Sequence, residues 1–197
     1  MKDFGAEWQS VLLGTFVTER AAAEELRDAS IQLDLARWTS ALTTMVVRSF
    51  RKMGYPAASK GFRGDTLPVS RNEYLSQDVM VFADGPTGWR FPVAVCELEN
   101  SADEKFVAYS LWKVLCVRCG LRVVFCYRPE PDEAPTLIAY LTDTVVKALP
   151  IQERMKLEGD TLVVVGSRNE AGTFPYGFFQ TWKLNTNTGR FERFARH

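Results

Sequence analysis

Apolar positions change their spacing along this chain. Between residues 33 and 53 they recur at helical intervals, with Leu35, Trp38, Leu42, Met45, Val46 and Phe50 on one side, and Gly54 and Pro56 close the segment. Upstream, residues 19–27 carry a charged, alanine-rich pattern, so the first third reads as helical. Residues 73–83 (EYLSQDVMVFA) and 91–99 (FPVAVCELE) then read as strands, joined as a hairpin through the turn cluster Asp84-Gly85-Pro86-Thr87-Gly88. Ser101-Ala102-Asp103-Glu104 fits a capping box that opens a helix running to about Cys119, where Gly120 stops it. Residues 121–127 (LRVVFCY) are nearly all apolar, as expected of a strand covered on both faces. A strand, helix, strand unit of this kind makes a right-handed crossover onto a parallel neighbour. A helix over 134–149, a strand over 161–165 after the turn Glu158-Gly159-Asp160, and a hairpin of 178–184 with 190–194 complete the reading. The order predicts an α/β three-layer sandwich, a central mixed β-sheet flanked by helices with a β-hairpin at the C-terminus. We read one domain over 1–197, with an N-terminal helical segment (1–34), a core (35–150) and a β-rich C-terminal extension (151–197).

Composition narrows the classes. At 197 residues, 46% hydrophobic and 12% aromatic, the chain can bury a sizeable core. Its 24 basic residues balance 24 acidic ones, so a uniformly basic nucleic-acid coat is excluded and any electropositive surface is local. One such stretch exists: residues 35–64 contain no acidic residue but hold Arg37, Arg48, Arg51, Lys52, Lys60 and Arg63. It suits a solvated helix end and loop as well as a phosphate-contacting surface. The first residues lack the apolar run of a secretory signal, and no stretch approaches the roughly 20 apolar residues that span a bilayer, so a cytoplasmic protein without membrane attachment is expected.

Four cysteines are present, and Cys116-Val117-Arg118-Cys119 has the spacing of half a zinc site that Cys96 and Cys126 would complete. Their apolar surroundings favour core thiols instead. The single histidine is His197, which leaves little room for histidine-based triads or histidine-ligated metals. Gly61-Phe62-Arg63-Gly64 is too short for a nucleotide phosphate loop and lacks the lysine and hydroxyl that follow one.

The chemistry concentrates at Cys96-Glu97-Leu98-Glu99-Asn100. Residues two apart share a strand face, so Glu97 and Glu99 point the same way behind Val93 and Val95. Carboxylates ending an apolar strand conflict with simple core packing, and such local conflicts mark functional sites. Asp78 interrupts the preceding strand and approaches Glu97 if the two strands pair. Convergent carboxylates repel unless a cation lies between them. Magnesium takes oxygen ligands from one or two carboxylates, keeps its remaining waters, and both acidifies water and polarises a phosphoryl oxygen. On the following helix Lys105, Tyr109 and Lys113 form one row at i, i+4 and i+8, beside the acidic strand end.

Asp78, an interval of nineteen positions, then Glu97-x-Glu99 on a strand between a hairpin and a helix resembles the PD-(D/E)XK nuclease superfamily. The likeness covers residues 35–127 in element order, and its residue motif is short. The resemblance implies a restriction-endonuclease-like core and metal-dependent hydrolysis of nucleic acid, DNA ahead of RNA, with Mg2+ or Mn2+ as cofactor. Carried over, Asp78 resembles the first metal-binding aspartate and Glu97 the second acidic residue, with Glu99 as a further ligand. Glu99 also stands where the lysine is expected, and this is the departure from the pattern. Some members carry that lysine on the next helix, which makes Lys113 or Lys105 the replacement. Glu24 or Glu25 would match an extra acidic residue found on an early helix in some members, and Asn100 would hold the strand end. The resemblance also suggests a dimer or larger assembly, a homodimer among them, with Arg48, Arg51, Lys52, Lys60 and Arg63 gripping the nucleic-acid backbone.

Two other classes compete. The missing motif lysine suits a catalytically degenerate relative that binds nucleic acid or a protein. A glycosidase needs two carboxyls about 5 to 9 Å apart. Glu97 and Glu99 lie roughly 6.6 Å apart by strand rise, but they share a direction instead of facing each other across a substrate.

Overall fold

Each strand adds beside its predecessor, so seven strands lie in one sheet in chain order. A computed structural model describes residues 3–62, 66–71 and 73–194. Strands β1 (Ala57–Ser59), β2 (Val79–Val81) and β3 (Ala94–Leu98) pair antiparallel in turn. β4 (Leu121–Arg128) and β5 (Asp160–Ser167) continue parallel, while β6 (Phe179–Asn185) and β7 (Arg190–Arg193) return antiparallel as a hairpin. The sheet thus changes sense at β3. The segment after residue 150 is no appendage to it, since β5, β6 and β7 all belong to the same sheet.

Helices cover both faces. On one side α1 (Phe4–Thr18), α2 (Arg20–Ile31) and α3 (Leu35–Lys52) bury Trp8, Leu26, Trp38 and Phe50 against Val79, Cys96, Val123 and Phe125. On the other, α4 (Glu104–Leu115) and α5 (Ala134–Thr144) pack Val107, Leu111, Leu137 and Leu141 on Met80, Val95, Val124 and Val163. Every residue of β3 and β4 is buried, which is why, apart from Glu97, Arg122 and Arg128, their sequences are apolar. Among the described residues no helix is long and apolar enough to cross a membrane.

Polar and aromatic ties hold the first layer together and fix it to the sheet. Buried Trp8 stacks on Phe50 with centroids 5.5 Å apart, and its Nε1 donates to Ser49 Oγ at 3.1 Å. Asp3 caps α1 by accepting from the Ala6 amide, and Lys183 on β6 bridges Asp3 and Asp160 at 2.7 and 2.8 Å. Burial opposes ionisation of Asp3, but its bonds to Lys183 and the Ala6 amide lower its pKa to about 2.

Several boundaries differ from the sequence reading. Residues 73–77 are a turn, because Leu75 and Ser76 adopt left-handed φ of 53°, and β2 is confined to Val79–Val81. The short β1 had no readable period. The cap of α4 is Asp103, whose side chain accepts from the Lys105 amide, whereas Ser101 Oγ accepts from the Asp103 amide in the turn before it. α4 ends at Leu115, short of Cys119. The helix expected over 134–149 stops at Thr144 and gives way to a 3-10 turn, and a further short helix, α6 (Ile151–Met155), follows Pro150.

The parallel β4–β5 pair depends on two glycines that meet. The Asp160 amide donates to the Gly120 carbonyl at 2.9 Å, and Gly159 has φ +74° with its Cα so close that a Cβ would lie 2.1 Å from that carbonyl oxygen. Gly159→Ala combines left-handed strain with a backbone clash. We expect a loss of about 2 kcal/mol or more in urea denaturation; an unchanged midpoint would contradict this close approach.

Candidate functional site

The site is built where β2 stops and β3 runs on. Their register pairs Val79 with Cys96, and Asp78, the residue just before β2, lies beside Glu97, its charge and its backbone amide both acting on that carboxyl. Here the β2 backbone leaves the ladder, and the Asp78 carboxylate replaces it: Oδ2 accepts from the Leu98 amide at 2.7 Å. Leu98 also pairs with Phe125 across β3 and β4, and the Glu99 amide donates to the Phe125 carbonyl at 2.8 Å. The strand end is held from both sides.

Glu97 is 4% exposed. Its partner comes from α4, where Lys113 Nζ lies 2.8 Å from Glu97 Oε1. Lys113 is the ion-pair partner of Oε1, which has no geometrically aligned hydrogen-bond donor, and the Asp78 amide also donates to the Glu97 carboxylate. Lys113 instead donates to the Ser76 carbonyl at 2.7 Å, a group presented by the left-handed turn at Leu75 and Ser76. Burial pushes the Glu97 carboxyl up to about 7; Lys113 pulls against this and the Asp78 charge adds to it. Burial likewise raises Asp78, opposed by the Leu98 amide and Lys113 and reinforced by Glu73 and Glu99. Two carboxyls therefore share one ammonium, and the pair is short of positive charge.

The other expected residues are placed differently. Glu99 lies just past the end of β3, where strand alternation no longer aims it. Its Oε1 accepts from the Ser101 amide at 2.7 Å and its Oε2 from Ser110 Oγ at 3.4 Å, which fastens the loop leading into α4. Among the described residues no three acidic, cysteine or histidine side chains converge on a common point for a metal. The expected three-carboxylate cluster is thus an Asp78–Glu97 pair with Glu99 turned aside. Lys105 is exposed, and no ion pair joins it to these carboxylates. Asn100 Nδ2 donates to Thr39 Oγ1 and, at 3.4 Å, to the Leu35 carbonyl, tying the β3 end to α3.

Asp78 also borders a cleft of about 480 Å3 with Thr39 and Thr43 of α3, Lys60, Phe62 and Glu73. Lys60 and Gly61 (φ +85°) form the tip of the tight turn closed by Ser59 and Phe62. Of the basic stretch, Arg48 and Lys52 converge on Glu19 at 2.8 and 3.5 Å, so one carboxylate offsets part of their charge. Arg51 lies over the Phe62 ring, 5.2 Å from its centroid. Arg63 and His197 lie outside the described residues. Glu25 pairs with Arg37, and Glu24 lines a separate pocket with Phe16 and Phe174. Cys96, Cys119 and Cys126 are buried free thiols, whereas Cys116 is exposed at the C-cap of α4.

Sequence reasoning missed Glu73, Ser76 and Ser110. Glu73 was absorbed into a predicted strand, and Ser76 matters through its carbonyl, which no side-chain pattern advertises. Ser110 had a usable signal, a small polar residue on the apolar side of α4 between Val107 and Leu111.

The raised Glu97 carboxyl has a sign that can be tested. Its folded pKa lies above the ordinary 4.5, so the folded chain holds a proton that the unfolded chain releases in between. The stability from that proton is complete below about pH 4.5 and is lost as pH rises through 7, on the order of 3 kcal/mol. Urea titrations from pH 5 to 8 should show this decline, and Glu97→Gln should remove most of it, leaving the smaller share from Asp78. Parallel profiles for the two proteins would contradict a buried, under-compensated carboxyl.

No protein-family model matches the chain, and no curated protein matches it. Among solved structures it is similar to NucC of P. aeruginosa ATCC27853 in a cAAA-bound form, with 13% identity and a TM-score of 0.49, covering 95% of this chain and 82% of that one. It is also similar to cAAA-bound NucC of E. coli MS115-1, with 15% identity and a TM-score of 0.45, covering 89% of this chain and 81% of that one.

Proposed function

We propose that the protein is a metal-dependent phosphodiesterase of nucleic acid, with Asp78, Glu97 and Lys113 as its reacting centre. The observation that carries this reading is the Lys113 ammonium, delivered from α4 to a buried Glu97 beside Asp78. A hydrolytic site of this class needs two oxygen donors for a hard cation and a nearby positive charge for water or phosphate, and these three groups supply that set.

The residues fit a divalent ion on their own chemistry. Glu97 Oε1 is buried without an aligned donor, its carboxyl is raised to about 7 chiefly by burial with the Asp78 charge adding to it, and Asp78 lies beside it. Magnesium or manganese would be held by Asp78 and Glu97, and when bound it supplies acidified water and a polarised phosphoryl oxygen. Lys113 is fixed between Glu97 and the Ser76 carbonyl, where its charge can orient a nucleophile or offset charge on a phosphate. Glu99 acts as a positioning residue: by gripping Ser101 and Ser110 it sets how α4 leaves the sheet, and so where Lys113 stands. The cleft bordered by Asp78 and Lys60 offers the adjoining path for the substrate backbone.

One observation favours a second reading, a degenerate relative that binds without cleaving. Glu99 occupies the motif lysine position, while Asp78, Glu97 and Lys113 already contact one another or nearby backbone. Calorimetry separates the two. A catalyst binds Mn2+, loses that binding in Asp78→Ala, and binds roughly tenfold more weakly at pH 6 than at pH 8 because Glu97 must release its proton. A scaffold binds no metal in either protein.

Cleavage itself is checked with plasmid and single-stranded DNA in Mg2+ or Mn2+. Asp78→Ala, Glu97→Gln and Lys113→Met should each lower the rate by roughly 100-fold or more, whereas Lys105→Met should stay within a few-fold. No cleavage by the wild-type chain with either metal, together with no metal binding, would overturn the proposal.

A further inference from the structure

The outer face of α4 carries more aromatic surface than a solvated helix has use for. Phe106, Tyr109 and Trp112 are 55%, 57% and 55% exposed, while Val107, Leu111 and Val114 already bury the inner face. Their i, i+3, i+6 spacing places the rings in one stripe. The Tyr109 and Trp112 rings lie nearly parallel, 17° apart in plane with centroids separated by 5.9 Å. Lys105 and Lys113 stand one turn to either side of Tyr109. Lys113 Nζ is 5.9 Å from the Tyr109 centroid and 2.8 Å from Glu97 Oε1, so the stripe runs directly into the carboxylate pair.

We propose that this stripe is a stacking platform for unpaired bases, and that the substrate is single-stranded nucleic acid. What happens to the strand at Glu97 rests on the nuclease reading; the binding rests on the stripe alone. Three exposed rings with a lysine at each end of the row offer stacking faces for bases and charge for the flanking phosphates of a single strand, whereas a duplex hides its base faces within the stack. Charge supports the same choice. The chain has no net charge, and Glu19 offsets part of Arg48 and Lys52, so stacking on the rings carries a large share of the affinity. An apolar protein partner would bury the rings but leave Lys105, which forms no ion pair with another described residue, without a counter-charge. Phe106, Tyr109 and Trp112 offer no matched donor and acceptor set, so the platform tolerates any base. Lys105 and Lys113 contacting phosphate contribute a slope of roughly −1.4 in the fall of log affinity with log salt, to which a Lys60 contact in the adjoining cleft would add about −0.7.

Binding is measured by fluorescence anisotropy in EDTA, so that cleavage plays no part. The probes are an oligothymidylate, its duplex with oligoadenylate and an abasic strand of equal length. The wild-type chain should bind the oligothymidylate more tightly than the duplex. Tyr109→Ala and Trp112→Ala should each weaken that binding by roughly fivefold to 150-fold, Trp112→Phe should restore it, and neither alanine variant should alter binding of the abasic strand. Unchanged thermal melting confirms that these exposed positions leave the fold intact. Three results would overturn the proposal: no oligothymidylate binding by the wild-type chain, equal losses on the abasic strand, or a wild-type oligomer that Trp112→Ala dissociates in sedimentation. The last would make the stripe an interface between copies. An inactive protein that still binds by stacking would sink the nuclease reading alone, and an active one whose alanine variants bind normally would sink only the platform.

Discussion

A carboxylate buried at the end of an apolar strand must be compensated, and the compensation of Glu97 organises everything around it. Strand alternation aims Glu97 inward behind Val95, into the layer between the sheet and α4. Little solvent reaches it, since Glu97 is only 4% exposed. The chain provides Lys113 from the neighbouring helix, yet the adjacent Asp78 adds a second negative charge, and the carboxyl remains near neutrality. A purely structural ion pair has no reason to carry this imbalance, because the uncompensated share destabilises the fold. It has a reason if a further cation is to bind.

The surrounding architecture holds this pair in place. β3 is antiparallel to β2 and parallel to β4, so its carboxyl end lies where the sheet changes sense and where the crossover helix departs. Asp78 substitutes for a missing backbone acceptor, Glu99 fastens the loop into α4, and Asn100 ties the strand end to α3 in the opposite helical layer. One short segment thereby links both layers. These ties to α3, to the loop into α4 and to the neighbouring strand hold the groups that would meet a cation in place.

Legibility followed the range of the interactions. The helical period before Gly54, the apolar run of β4 and the alternation on β3 are local signals, and each named its element. Asp78 and Glu97 stood out because charge in an apolar strand breaks a local rule. The left-handed turn at Leu75 and Ser76 broke no rule that a sequence displays, and it was read as strand. Glu99 was expected beside Glu97 because alternation was carried one residue past the point where β3 ends. Lys105 and Lys113 share a helix row, and nothing in their spacing ranks one above the other.

The main helices and strands and the two carboxylates that break an apolar pattern were legible in the sequence alone, since period and charge placement act within a few residues. Which lysine reaches Glu97, where Glu99 turns and how far Glu19 offsets Arg48 and Lys52 were decided only by tertiary structure. These depend on how α4 leaves β3 and how α1, α2 and α3 meet. A helix end moved by one residue rotates its side chains by about 100°, so contacts between distant segments are set by packing and not by spacing.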